Sequence, residues 1–291
     1  MAPDYLIPVA DADPLTQIKH VATFIATIPT LELQMQKPFN PILGETFQAY
    51  IKGIPIYYEQ ISHHPPISAY YMTCPEFTMH GNLIAFADVS INSAVGGNEG
   101  VMHIHMRNGS HFQCYFPPCE ISGLIFGNRT FRAYAKGYIF ETKSKLFAEM
   151  SIEKHKKGLY EKGNDKLTPG DLIGGVFKVR DEFMERIKKE SSLRKFGGLT
   201  KKDVESKLAD MRGVWFRSIM VGGEEVSAGK RVYPLQYPGV ALPSDSNYRW
   251  DILYHKVNNY PESQRMKEVL EVKQRSDRKL REKHLKARRK Q

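Results

Sequence analysis

At 291 residues, 41% of them hydrophobic and 25% charged, the chain has the make-up of a soluble globular protein and can bury one large core or two small ones. No run approaches the roughly 18 apolar residues of a membrane-spanning helix, and the opening MAPDYLIPVADADP lacks the basic and apolar regions of a secretion signal. The net charge of +10 is unevenly spread: from Lys267 to Gln291 eleven Lys/Arg stand against four acids, so this tail alone carries +7 and suits an anionic partner, nucleic acid or anionic lipid.

In chain order, Asp13-Pro14 opens the first element, since Asp caps a helix and Pro is tolerated at its first position. Leu15, Ile18, Val21, Ala22, Ile25 and Ile28 then recur at helical spacing until Pro29, which predicts a helix over 13–28. The segment 37–47, KPFNPILGETF, is loop-like, stiffened by two prolines. From about Tyr50 to Ile152 short runs rich in β-branched and aromatic residues alternate with turn residues. Gly96-Gly97-Asn98 and Asn108-Gly109 are expected as hairpin turns. So many consecutive strands predict a mainly β, α+β fold: one large antiparallel sheet that tends to close into a barrel.

Beyond residue 180 the pattern is mixed. RDEFMERIKKESSLRKF (180–196) and TKKDVESKLADMRG (200–213) read as charged helices, VWFRSIMV (214–221) as a strand, and 232–250 as irregular. A long charged helix is expected from about Glu262. The three cysteines, Cys74, Cys114 and Cys119, are odd in number and lack metal-site spacing, which points to reduced thiols and a cytosolic setting.

The stretch YYEQISHHPPISAYY (57–71) raises the functional question, with His63 and His64 adjacent and followed by two prolines. On a strand, neighbours point to opposite faces, so one metal ion cannot easily take both. His103 and His105 share a face at i, i+2, but without further ligands at metal spacing. A catalytic pair would need a nucleophile and an orienting carboxylate, and neither is evident. An anion clamp fits better: imidazole N–H groups donate to phosphate oxygens, and Lys37 and Asn40 could add a cation and an amide. The bland alternative is a pair of core or surface fillers. On the last helix Lys267, Glu271 and Arg275 fall at i, i+4, i+8 and share one stripe, which on spacing alone reads as a solvated, salt-bridged face.

EQISHHPP (59–66) resembles the fingerprint of the oxysterol-binding protein-related family, EQVSHHPP, with Ile61 in place of Val. KPFNPILGETF is similar to that family's K-P-x-N-P-x-L-G-E segment, and KEVLEVKQRSDR (267–278) to its closing K-x-x-L-E-x-x-Q-R helix. The resemblance implies a single domain over 1–291, a nearly closed antiparallel β-barrel around a lipid tunnel with an N-terminal lid or helix and C-terminal helices. Residues 1–12, with YLIPV at 5–9, would be a short lid-like segment, 13–28 a helix, 37–180 the barrel core, and 181–291 a helical or mixed region with the basic tail.

It further implies a non-enzymatic lipid-transfer protein whose ligands are phosphatidylinositol 4-phosphate and a sterol or phosphatidylserine, with no cofactor and no metal. His63, His64 and Arg275 would hold the 4-phosphate, Lys37 and Asn40 the inositol phosphates with backbone help near Leu43 and Gly44, and Lys267 and Glu271 the inositol ring. The expected partners are membrane lipids and anionic membrane surfaces, without nucleic acid or an obligate protein partner, for a cytoplasmic monomer transiently peripheral on membranes. A nucleic-acid binder using the basic tail and a phosphoinositide-processing enzyme are the competing readings. Neither a pleckstrin-homology region nor an acidic two-phenylalanine tract is visible, so membrane targeting is expected to rest on the ligand site and the basic tail.

Overall fold

The structure, a computed structural model, describes residues 1–29, 39–133, 135–152, 170–189, 196–227 and 233–288. Two helices come first, α1 (Ala2–Leu6) and α2 (Pro14–Thr27), linked by a 3-10 turn at Ile7–Val9. The Asp13 carboxylate accepts from the backbone N–H groups of Leu15 and Thr16, so α2 begins where its cap and proline predict.

Among the described residues fifteen strands follow: β1 (Thr46–Ile51), β2 (Ile54–His63), β3 (Pro66–Thr73), β4 (Phe77–Val89), β5 (Ser93–Asn98), β6 (Met102–Met106), β7 (His111–Tyr115), β8 (Cys119–Ser122), β9 (Thr130–Ala133), β10 (Ala135–Glu141), β11 (Leu146–Ile152), β12 (Asp171–Val179), β13 (Val204–Val214), β14 (Ser218–Val221) and β15 (Glu224–Ser227). Helix α3 (Asp181–Lys189) interrupts them after β12, and α4 (Trp250–Lys256) and α5 (Tyr260–Arg288) close the chain. The strands hydrogen-bond in the order β1-β2-β3-β4-β6-β7-β10-β11-β12-β13-β14-β15, every pairing antiparallel. The far half of β4 turns aside to pair with β5, which continues through β8 to β9.

The expected antiparallel sheet is therefore present and barrel-like, but it does not close. β1 and β15 end the path, with no ladder between them among the described residues. The open edge of β1 is covered by the Pro- and Tyr-rich segment expected to be irregular. Tyr50 and Gln236 exchange both backbone hydrogen bonds, at 2.7 and 3.0 Å, and Thr46 N–H reaches Ser244 O at 3.0 Å. Such cover removes a template for unwanted strand pairing.

Alternate residues of the strands face inward: Ile54 and Ile56, Tyr70 and Met72, Phe77 and Met79, Met102, Ile104 and Met106. They form one core with Tyr5 and Leu6 of α1 and Ile18, Val21 and Ile25 of α2. The lid-like segment thus packs into the sheet's apolar interior. A second core lies on the other face of β10–β12, where Phe140, Phe147 and Phe177 meet Phe183, Met184 and Ile187 of α3.

Two sequence expectations are overturned. Of the segment 200–213, expected as a charged helix, residues 204–213 belong to strand β13: the inward positions Ala209 and Met211 alternate with charged neighbours, and pairing with β12 outweighs the helical look of the charges. The sheet accordingly runs past residue 180 to Ser227. Gly96-Gly97-Asn98 is no turn but the end of β5. A Cβ on Gly97 would lie 3.0 Å from the ring of Phe86, its cross-strand partner, so this glycine makes room for an aromatic side chain. The turn at Asn108-Gly109 forms as expected, between β6 and β7.

Candidate functional site

A cavity of about 830 Å³ opens at the end of the sheet where β2 turns into β3. Four pieces of chain line it: the loop Phe39–Leu43, the stretch Ile61–His64 at the end of β2, Arg249 just before α4, and one face of α5. On α5 the lining positions Lys267, Leu270, Glu271, Gln274, Arg275 and Arg278 recur every three or four residues, which is what one helix face supplies.

Both histidines reach this cavity despite being neighbours. A register shift between Gln60 and Ser62 breaks the strict alternation of β2, His63 is the last residue of the strand, and His64 already lies in the turn. Their rings stand 4.8 Å apart at 71°. The Nδ1 of His63 and the Nε2 of Gln274 are shielded from solvent without a hydrogen-bond partner. Burial, and then the nearby His64, Arg278 and Arg281, hold the His63 imidazole below its ordinary pKa. The shift favours the neutral imidazole, which can take up a proton when a negative charge arrives.

Positive charge in the cavity comes from α5. Lys267 and Arg275 both approach Glu271, at 3.1 and 3.7 Å, and Arg278 pairs with Glu282 at 2.9 Å. The salt-bridged stripe read from spacing is real, and it also faces the cavity.

Arg249 is a different kind of cation. Its Nη1 donates to Glu45 Oε2 at 2.6 Å and to Asn40 O at 3.0 Å, while its Nε and Nη2 donate to Asp251 Oδ1 and Oδ2 at 3.0 and 2.5 Å. Glu45 also accepts from Ile42 N–H at 2.9 Å. All three charged side chains are nearly inaccessible. The group ties the 39–45 loop to the start of α4 and so fixes the cavity's floor.

The structure thus brings Asn40, Leu43, His63, His64, Lys267, Glu271 and Arg275 to one cavity. Gly44 is not among its lining residues; its N–H donates to Gln60 O at 2.8 Å. Lys37 lies outside the described residues. Sequence reasoning missed Gln274, Arg278 and Arg281, although helical spacing from Lys267 could have found them, and it missed Arg249, whose partner Glu45 is 204 positions away.

Comparison with known proteins decides the family. The sequence profile described as "Oxysterol-binding protein" matches residues 2–290. The chain belongs to the oxysterol-binding protein family. Oxysterol-binding protein 9 of Dictyostelium discoideum is 29% identical over 287 residues, which is 95% of this chain and 64% of that protein. The oxysterol-binding protein-like protein OBPa of Candida albicans is 28% identical over 231 residues, 75% of this chain and 49% of that one. The chain spans less than two thirds of the length of both relatives. Among solved structures, the Osh3 ORD in complex with PI(4)P from Saccharomyces cerevisiae superposes with a TM-score of 0.73 at 18% identity, covering 96% of this chain and 74% of that one. The Osh1 ORD domain in complex with cholesterol gives 0.71 at 20%, covering 97% and 71%. At such identities the two structures speak for the fold.

In this family member the histidines are not arranged as a metal centre, and among the described residues no three His, Cys, Asp or Glu side chains converge to hold an ion. His80, His103, His105 and His111 instead stack on β4, β6 and β7, with nitrogen contacts of 3.2 Å between His80 and His105 and 3.0 Å between His103 and His111. No described helix is long and apolar enough to cross a membrane.

Proposed function

We propose that this chain is a non-enzymatic lipid-binding and lipid-transfer protein whose cavity takes the headgroup of phosphatidylinositol 4-phosphate. The observation that carries the reading is the pair of solvent-shielded, unpartnered nitrogens, His63 Nδ1 and Gln274 Nε2, in a cavity walled by Lys267, Arg275 and Arg278. Buried polar atoms are rarely left unmade, because each costs about 1–3 kcal/mol. A phosphate oxygen supplies an acceptor for each, and the cations supply its counter-charge. Asn40 and Leu43 close the cavity opposite α5, where an inositol ring would meet them, and Glu271 would accept from a ring hydroxyl while holding Lys267 and Arg275 in place. Lys37 is assigned to the same ligand through its motif.

The second cargo is a sterol or phosphatidylserine. The PI(4)P and cholesterol complexes of structurally similar chains support the first two lipids, and phosphatidylserine comes from the motif resemblance. A lipid tail leaving a bilayer forfeits about 0.8 kcal/mol per CH₂, so the apolar face of the sheet, against which α1 and α2 pack in this structure, is where the tail would be sheltered. No bond is made or broken. The protein works as a monomer on anionic membranes from the cytoplasm, without cofactor or nucleic acid.

The test is extraction of labelled phosphatidylinositol 4-phosphate from liposomes by the wild type and by the His63→Ala/His64→Ala variant, with sterol and phosphatidylserine as competitors. Extraction should fall at least about tenfold in the variant, the loss of a charge-assisted contact worth roughly 1.5–3 kcal/mol, while its circular dichroism is unchanged. A folded variant that extracts as well as the wild type overturns the assignment.

A further inference from the structure

We propose that the paired hairpin tips at residues 89–92 and 123–127 form a membrane-inserting wedge that seats the headgroup cavity against a lipid bilayer. The proposal rests on the lipid-transfer reading and adds a contact that neither the ligand site nor the basic tail provides.

The tips expose an apolar cluster of unusual density. Val89 is 76% accessible, Ile91 80%, Ile125 74% and Phe126 63%, with Leu124 beside them. Four large apolar side chains held in water within two short turns have to be accounted for by a partner.

The backbone beneath them is built for a low-dielectric medium. Asn92 accepts from the N–H groups of Ile125 and Phe126 through its Oδ1, at 2.9 and 3.1 Å. Its Nδ2 donates to Phe126 O at 3.0 Å, and its carbonyl accepts from Leu124 N–H at 3.2 Å. In the other turn Ser90 N–H is taken by Ser93 O at 2.8 Å. Gly123, at φ +73°, makes the tight fold possible, since a Cβ there would lie 2.2 Å from Asn128 O. An ordinary solvated loop leaves such groups to water. A loop entering the acyl boundary must satisfy them internally, because an unpaired amide there costs several kcal/mol.

Position points the same way. The β3–β4 ladder ends at Ile67–Ile84, one residue past the His63–Pro66 turn, yet β4 runs on to Val89. Those five residues extend about 16 Å at ~3.3 Å per residue, and they project from the end of the sheet that holds the histidines. Pairing of β5 with β8 at Ser93–Ser122 sets the second tip beside the first. Behind the tips Arg129 and Arg132 are exposed on and beside β9, and the basic stretch of α5 lines the cavity mouth with Arg278 and Arg281. Apolar tips backed by cations fit an anionic bilayer: the side chains enter the acyl boundary and the cations meet the headgroups.

The experiment uses the full chain with Ile125→Ser/Phe126→Ser, read two ways. Sedimentation with phosphatidylcholine–phosphatidylserine vesicles free of phosphoinositide should fall at least about tenfold, since the apolar area that drives partition is gone. Binding of a soluble short-chain phosphatidylinositol 4-phosphate should be unchanged. The His63→Ala/His64→Ala variant should do the reverse, so failure of the headgroup assignment is separable from failure of the wedge. As a second measurement, the Phe126→Trp variant should gain tryptophan emission, over that of the parent chain, that shifts to the blue on adding vesicles and is quenched by brominated acyl chains. Vesicle binding that survives the double substitution, or added emission in the Phe126→Trp variant that is indifferent to vesicles, overturns the wedge and leaves the cluster to a protein partner.

Discussion

Removing the guanidinium of Arg249 tests whether the cavity floor is held by buried charge. The side chain is 8% exposed, as is Glu45, and Asp251 is fully buried, so one cation faces two carboxylates away from water. Burial already raises the Glu45 pKa above its ordinary value, with Arg249 pulling it back down. Arg249→Ala leaves both carboxylates without that partner. Breaking a buried pair by deleting one member costs about 3–5 kcal/mol. At about 2–4 °C per kcal/mol, the value for chains somewhat shorter than this one, the melting temperature should drop on the order of 10 °C. The loss should depend on pH in a defined direction. A carboxyl whose folded pKa lies above its unfolded value costs stability when ionised, and that cost is relieved as pH falls through the folded value towards the unfolded one. Without Arg249 the Glu45 pKa rises further, so the variant's deficit should be larger at pH 7.5 than at pH 5. Thermal melts by circular dichroism at both pH values measure this. A variant that melts within a degree of the wild type, or whose deficit grows on acidification, refutes the argument. Adding Glu45→Gln and Asp251→Asn to an Arg249→Met change should restore much of the loss, since a neutral isosteric set no longer buries charge.

Two other perturbations follow from the same reasoning. Burial first, and then the neighbouring imidazoles, lower the pKa of His103 and His105, and take His111 down to about 4 although Glu141 pulls it the other way; because these folded values lie below the unfolded ~6.5, their stability contribution is complete above pH ~6.5 and is lost as pH falls from there towards 4. The melting temperature should decline across that window and flatten in His103→Gln/His111→Gln, and an equal slope in both proteins would count against the cluster as its source. Asp13→Ala removes the cap of α2, with its bonds of 2.9 and 3.1 Å to Leu15 and Thr16. It should cost about 1 kcal/mol by urea titration, and no measurable change would mean that the packing of α2, rather than its cap, sets where the helix starts.

The parts of the molecule legible in the sequence are those whose cause is local. The start of α2 follows from Asp13-Pro14, the β6–β7 turn from Asn108-Gly109, and the strand-rich middle from side chains that alternate in type. Where a distant partner decides, the sequence misleads. β13 carries enough Lys, Glu and Asp to read as a helix, and only the neighbouring β12 makes its alternation count. Gly97 reads as a turn because the Phe86 ring that needs its space is eleven positions earlier on another strand. Arg249 is unremarkable in its own neighbourhood, and its role appears once Glu45 is beside it.

The histidine pair shows how far the local rule carries and where it stops. Strict alternation on β2 would put His63 and His64 on opposite faces, which argues against any shared ligand. That objection holds for an ideal strand, and β2 ends before it applies: the shift after Gln60 and the turn after His63 release the alternation at the two residues that matter. Pro65 lies in the turn and Pro66 opens β3 opposite His63, while Gln60, buried within the bulge, bonds to Ser62 O at 2.7 Å and receives Ser68 Oγ through its own carbonyl. The EQISHHPP motif therefore has two parts with separate jobs. Gln60 anchors the irregularity at the strand end, and the histidines beyond it present two imidazoles to one cavity.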